Sequence, residues 1–263
     1  MPIKTLRTNG GSRLMKLGTI RKGSKKQKVN RQGKEIEIYG RDLDHFRFDC
    51  LSDKLQKALE GYKKGKPDVL TVQLPYSTPE ENFIHWFEDY SNNALKVQCD
   101  GENINLYLDK DTKKYESPEN MPCKSGQGCT CKPIGRLNVI LPIAIECGFI
   151  GYFEVQNHRI NDIVAIQGYL EQIYSMTKDL RRVPFEIYRY PAEISIRYVD
   201  KNENAQRSRQ QKHLVGIRIH PEAVKQIGGE FTPSQKMLKS IEHTPVIETR
   251  DQRKLIDAMS EEF

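Results

Sequence analysis

The sequence lacks a long uninterrupted run of apolar residues. Its longest candidate covers residues 137–153 and is interrupted by residues that include Asn138, Pro142, Glu146 and Gly148. A helix that spans a membrane needs about 20 apolar residues in a row. The basic start of the chain is not followed by the apolar stretch and cleavage site of a secretory signal. We therefore expect a cytoplasmic protein without a membrane partner, whose thiols are reduced.

The sequence also lacks the motifs of the common enzyme classes. It contains no P-loop, no GxSxG, no GxGxxG and no HExxH. Its six histidines are scattered, and none stands beside a nucleophile or a paired carboxylate at an informative spacing. We therefore expect no catalytic residue, no enzymatic activity and no small-molecule substrate. A metal-dependent nuclease is disfavoured, because no cluster of histidines and carboxylates with open metal positions is present.

Acidic residues are absent from the first 34 positions, which hold eleven lysines and arginines. The rest of the chain holds 31 basic and 35 acidic residues, so the net charge of +7 is an excess of this N-terminal segment. The segment has several glycines and no helical or alternating period, which predicts an irregular basic arm over residues 1–40.

A basic arm of this kind is typical of contact with a phosphate backbone. The candidate nucleic-acid-binding residues are Arg21, Lys22, Lys25, Lys26, Lys28 and Arg31. A solvated terminus without a partner is an equally good interpretation of the same composition. Phosphate contacts would supply affinity without sequence selection.

Residues 41–228 have the patterns of an α+β fold, a mixed β-sheet with packed helices. Alternating or short apolar runs predict strands at 45–50, 69–74, 95–99, 104–108, 136–141, 149–155, 185–190, 193–198 and 213–220. Helical spacing predicts helices at 53–62, 80–90 and 161–180, the second with its aromatic residues on one face. Residues 229–263 form a polar tail that we expect to be partly disordered or to bind a partner.

Four of the six cysteines fall between positions 99 and 131. Cys99 ends a predicted strand, whereas Cys123, Cys129 and Cys131 lie in a glycine-containing loop. Four thiolates are a common ligand set for structural zinc, and they leave no open position for catalysis. The pattern therefore predicts an inserted four-cysteine zinc-binding loop over residues 99–131. Reduced buried thiols or disulfides are the alternatives, and the other two cysteines fit the core.

Several short motifs, taken in their order along the chain, resemble phage recombination directionality factors, the excision factors of large serine integrases. They are MPIKTL at 1–6, LGTIRKG at 17–23, LDHFRF at 43–48, residues 68–75, QCDGE at 98–102, CKP at 131–133, GRLNVILP at 135–142 and GYFEV at 151–155. The resemblance covers about residues 1–200.

The resemblance implies a non-catalytic partner of a large serine integrase bound to att-site DNA. Such a factor switches the integrase from attP × attB integration to attL × attR excision of a prophage. A ligand of this kind acts by binding one arrangement of the integrase better than another. The alternative function is that of a phage or mobile-element accessory protein that contains zinc and binds nucleic acid.

Overall fold

The structure is a computed structural model, and it describes a large part of the chain. The described residues are 14–24, 27–31, 34–38, 40, 42–91, 94–109, 111–119, 121–123, 130–199 and 205–227. The N-terminal 13 residues of the predicted arm and the predicted tail at 229–263 lie outside this set. The predictions for those two segments stay predictions.

The described residues form strands joined by short helices. The strands are β1 Lys16–Gly23, β2 Gln27–Arg31, β3 Lys34–Ile38, β4 Asp42–Cys50, β5 Val69–Gln73, β6 Phe83–Ser91, β7 Ala94–Cys99, β8 Ile104–Leu108, β9 Tyr115–Glu116, β10 Lys132–Val139, β11 Tyr152–Asn157, β12 Pro184–Val199 and β13 Ala205–Ile219. The α-helices are α1 Asp53–Glu60, α2 Pro79–Asn82, α3 Pro142–Glu146, α4 Ile160–Thr177 and α5 Pro221–Ile227. Two 3₁₀ turns cover Tyr62–Gly65 and Leu180–Arg182.

Most of the strands belong to one mixed sheet with the order β4-β1-β11-β10-β6-β7-β8-β9. Within it β1 and β11 run parallel, and the other described neighbours are antiparallel. A second sheet has the order β13-β12-β5, and β2 pairs with β3 alone. The predicted α+β class with a mixed sheet is confirmed.

The core lies between the two larger sheets and the long helix. Helix α4 contacts β10 of the first sheet and β13 of the second. Its buried side chains, among them Ile163, Ile166 and Leu170, join Phe153 of β11 and Phe185 of β12 in one apolar cluster. Among the described residues, no helix combines the length and the apolarity that crossing a membrane requires.

The helix predicted over residues 80–90 is wrong beyond its first turn. Helix α2 ends at Asn82, and the aromatic residues that follow it belong to β6. The amide of Asn82 accepts from the backbone N–H of Tyr76 and donates to the carbonyl oxygens of Tyr76 and Thr78, which closes this short helix. Aromatic residues favour strands, and β6 hydrogen-bonds to β10 on one side and to β7 on the other. Hydrogen bonding to these two strands determines the conformation of residues 83–91, although their aromatic residues have helical spacing.

The irregular arm predicted over residues 1–40 is also wrong where the structure describes it. Strand β1 is an interior strand, with Leu17 and Ile20 in the core, and β2 and β3 form a hairpin. Gly18 makes the close approach of β1 to β4 possible, because a Cβ at this position would lie 2.5 Å from the carbonyl oxygen of Asp49. Strand β1 is buried from both sides, so it lacks the alternation that identifies a half-exposed strand.

Two further differences concern boundaries. The strands predicted at 185–190 and 193–198 are one continuous strand, β12. The helix predicted at 161–180 is α4, which begins one residue earlier, at Ile160, and ends three residues earlier, at Thr177.

Candidate metal centre

Strand β6 brings two of the predicted cysteine ligands to the same place. Its residue Phe87 is the register partner of Cys99 in β7 on one side and of Pro133 in β10 on the other. Cys131 directly precedes β10. Neighbouring strands lie about 4.8 Å apart, so β7 and β10, on the two sides of β6, are about 10 Å apart at the backbone, although 32 positions separate Cys99 from Cys131 in the sequence.

A third cysteine is fixed by backbone hydrogen bonds to the turn between β7 and β8. The N–H of Cys123 donates to the carbonyl oxygen of Glu102 at 2.6 Å, and the N–H of Ile104 donates to that of Met121 at 2.8 Å. An isolated bridge joins Asn103 to Pro122. The segment before the loop is therefore attached to the hairpin that carries Cys99.

The sequence Asp100-Gly101 shapes the turn that follows Cys99. The Asp100 carboxylate accepts from the N–H groups of Asn103 at 2.6 Å and Glu102 at 2.8 Å, which lowers its pKa below the ordinary value. Gly101 has a φ of +105°, a conformation that residues with a Cβ rarely adopt. This turn directs the chain back toward Cys123.

The result is a cluster of three sulfur atoms. The Sγ atoms of Cys99, Cys123 and Cys131 all lie within 4.8 Å of one another, with the first two side chains buried and the third half-buried. Sulfur ligands of one zinc ion, each about 2.3 Å from the metal, are about 3.8 Å apart. Three thiols gathered in this way can hold a metal ion. The predicted fourth ligand, Cys129, lies outside the described residues.

The comparison with protein families shows to which family the chain belongs. A family model described as Gp3-like, recombination directionality factor-like, matches residues 17–220. The chain belongs to this recombination directionality factor-like family. Neither the curated proteins nor the solved structures contain a match. The family expected from the sequence motifs is thus confirmed, and its description associates the chain with an accessory role in recombination.

The span that matches the directionality factor-like family contains the whole cysteine cluster and its support. In the same sheet, the buried carboxylate of Glu88 accepts from Arg136 on β10, from Gln98 on β7 and from the hydroxyl of Tyr90. Burial by itself would raise the pKa of Glu88, but these hydrogen bonds outweigh it, and the pKa lies below its ordinary value. Sequence analysis missed this group, because its members come from three strands and no local motif marks them.

Two predicted nucleic-acid-binding residues of this family member lie on β1 and pair with acids. Arg21 donates to Asp49 at 3.0 Å and to Gln156 at 3.0 Å. Lys22 is largely buried and donates to Asp162 at 3.0 Å. Burial lowers the pKa of Lys22, and the opposing effect of Asp162 does not restore it to the ordinary value.

The other four candidate nucleic-acid-binding residues follow β1 in the sequence. Lys28 and Arg31 lie on β2, where their register partners on β3 are Glu37 and Lys34. Lys25 and Lys26 lie outside the described residues. Nucleic-acid binding by these six residues stays a prediction.

Proposed function

We propose that this protein is a recombination directionality factor that binds a large serine integrase on att-site DNA in the cytoplasm. It shifts the integrase from attP × attB integration to attL × attR excision and has no catalytic activity of its own. The observation that carries the proposal is the family match, which extends over the folded body from β1 to the end of β13.

The switch is a matter of differential affinity. A ligand that binds both arrangements of the integrase equally well would shift nothing. Changing a preference from roughly 1:99 to 99:1 requires about 5.5 kcal/mol of differential binding free energy. A protein interface of ordinary size, about 1,600 Å² in total, can supply that difference.

Zinc is the metal that best fits the cysteine cluster. Cys99, Cys123 and Cys131 supply three thiolates, and we assign Cys129 as the fourth ligand of a tetrahedral set. A zinc ion bound by all four would link Cys129 and Cys131 to the β7–β8 hairpin. Its role is structural, because four sulfur ligands fill the coordination sphere.

Recombination in vitro tests the proposed function. A serine integrase encoded by the same genetic element is incubated with attP and attB substrates, or with attL and attR substrates, with and without the purified protein. We expect the protein to raise the yield from attL × attR and to lower the yield from attP × attB. A serine integrase from an unrelated element serves as the control. Unchanged product ratios at saturating protein would reject the proposal.

A further inference from the structure

The strands β12 and β13 extend well beyond the sheet to which they belong. They pair continuously from Phe185↔Ile219 to Val199↔Ala205, whereas β5 pairs only with Pro184–Tyr188 of β12. From position 189 onward, the described part of β12 therefore has β13 as its strand partner and no second one. We call residues 192–199 and 205–212 the distal ribbon. Its eight residue pairs span about 26 Å.

The base of this ribbon is firmly attached to the body. The side chain of Arg189 is fully buried. Its guanidinium donates to the Asp42 carboxylate at 2.8 Å and to the carbonyl oxygen of Leu43 at 2.6 Å. The N–H of His213 donates to the same carboxylate at 3.3 Å, and Arg159 donates to the carbonyl oxygen of His213 at 3.3 Å. These bonds hold the two strands where they leave the sheet.

The distal ribbon carries four basic residues and one acidic residue. The basic residues are Arg197, Arg207, Arg209 and Lys212, and the acidic residue is Glu193. Arg197 is the register partner of Arg207.

The arginines of β13 are also open to solvent. Arg207 is exposed, and among the described residues no acidic side chain lies within ion-pair distance of it. The Arg209 side chain is 79% exposed, and its contact with Glu193 at 3.7 Å is long. An exposed contact of this kind contributes little and is screened by salt.

The basic residues of β1 differ from those of the distal ribbon. Lys16 and Arg21 pair with Glu154 and Asp49, and Lys22 pairs with a buried aspartate. Within the described residues, the positive charge of β1 is therefore neutralised internally. Among the described side chains of the distal ribbon, Arg207 has no acidic partner and Arg209 has only a long contact with Glu193, so the ribbon is the better candidate for binding an external anion.

We propose that the distal ribbon binds the phosphate backbone of duplex DNA. A two-stranded ribbon is narrow enough to enter the major groove, and a guanidinium can donate two hydrogen bonds to one phosphate. Phosphate contacts confer affinity without sequence selection, so the ribbon is expected to bind duplexes with and without an att site alike. This function is separate from integrase binding, and either can be present without the other.

The test uses the full chain and a fluorescent mixed-sequence duplex without an att site. Fluorescence anisotropy measures the affinity at NaCl concentrations from about 50 to 200 mM. We expect the double variant Arg207→Gln, Arg209→Gln to bind more weakly, with a salt dependence less steep by about 1 for each lost phosphate contact, hence about 2. The matched control is Lys54→Gln, Lys57→Gln on the exposed face of α1, which removes the same charge. It should bind like the wild type.

A conservative variant and an integrase assay distinguish binding of DNA phosphates from binding of an acidic protein. Arg207→Lys, Arg209→Lys keeps the charge and should retain most of the affinity and of the salt dependence. Unchanged DNA binding by the glutamine variant would overturn the proposal. If the glutamine variant binds DNA normally but no longer associates with the integrase, the proposal is also overturned, because the ribbon would then be a surface for an acidic protein. Normal recombination switching with weakened DNA binding would support the ribbon and leave the proposed function intact.

Discussion

Glu88 on β6 and Arg136 on β10 form a two-pronged ion pair in the sheet that also carries Cys99. The Nη1 atom of Arg136 lies 2.8 Å from one carboxylate oxygen, and Nη2 donates to the other. The Glu88 side chain is 1% exposed. Gln98 and Tyr90 donate to the same carboxylate, so the pair joins the two strands that flank β6.

Replacing Glu88 by glutamine should destabilise the protein in a pH-dependent way. At neutral pH the variant leaves Arg136 without its countercharge, and breaking a buried pair costs about 3 to 5 kcal/mol of unfolding free energy. The folded-state pKa of Glu88 lies below its ordinary value of 4.5, so its stabilisation is complete above that pH. It is lost as the pH falls through the folded-state pKa. Urea unfolding of both proteins at several pH values measures the difference.

The matched control for this variant is Glu119→Gln at an exposed position. Its unfolding free energy should stay within about 0.5 kcal/mol of the wild type, as for most surface changes. The gap between wild type and Glu88→Gln should narrow in acid. A difference in unfolding free energy that stays constant from neutral pH to well below 4.5, the ordinary pKa of Glu88, would show that the ionised carboxylate does not stabilise the sheet.

Serine substitutions test the metal centre. Single variants at Cys99, Cys123 and Cys131 should each lower the zinc content of the purified protein and its thermal midpoint, because metal binding contributes free energy to the folded state. Cys129→Ser should do the same if it is the fourth ligand. Elemental analysis and thermal unfolding, before and after treatment with a chelator, measure both effects.

The control for these variants is Cys147→Ser, at the end of α3 and outside the cluster. It should keep the full zinc content. Wild-type protein purified without metal and unaffected by a chelator would refute the site. Equal losses in the control and in the cluster variants would point to a general effect of removing a thiol.

Alkylation should distinguish Cys50 from an ordinary exposed thiol. Burial, with the charges of Asp49 and Glu60, raises the pKa of Cys50 to about 11. At about pH 8 only about one molecule in a thousand carries the reactive thiolate. We expect iodoacetamide to modify this residue slowly and about tenfold faster for each pH unit up to its pKa, as followed by peptide mass spectrometry. Rapid modification at pH 8, as in an unfolded control, would contradict the raised pKa.

Local signals in the sequence predicted several elements well. The strands predicted at 95–99 and 104–108 are β7 and β8, and the helical spacing at 161–180 identified α4, the longest described helix. The cysteine cluster was predictable because cysteine is rare and thiols have few roles when several occur close together. Three of its four members could be placed, and these three do converge.

Long-range pairing was not predictable in the same way. The aromatic spacing of β6 fits a helix, and only hydrogen bonding to β10 and β7 selects a strand. The partners Glu88 and Arg136 are 48 positions apart, and no short motif contains both. The neutralisation of Lys22 by Asp162 depends on a contact across 140 positions. Tertiary structure decides all three.

Strand β1 affects the order in which the protein is able to fold during synthesis. It lies between β4, which follows within a few dozen residues, and β11, whose parallel partner residues begin at Tyr152. Until the ribosome has released residue 157, one edge of β1 is open and the large sheet is in two pieces. Contacts of such long sequence separation slow folding. The nascent chain therefore exposes an unpaired strand edge while the residues between β4 and β11 are synthesised, a period in which pairing with another chain competes with correct folding.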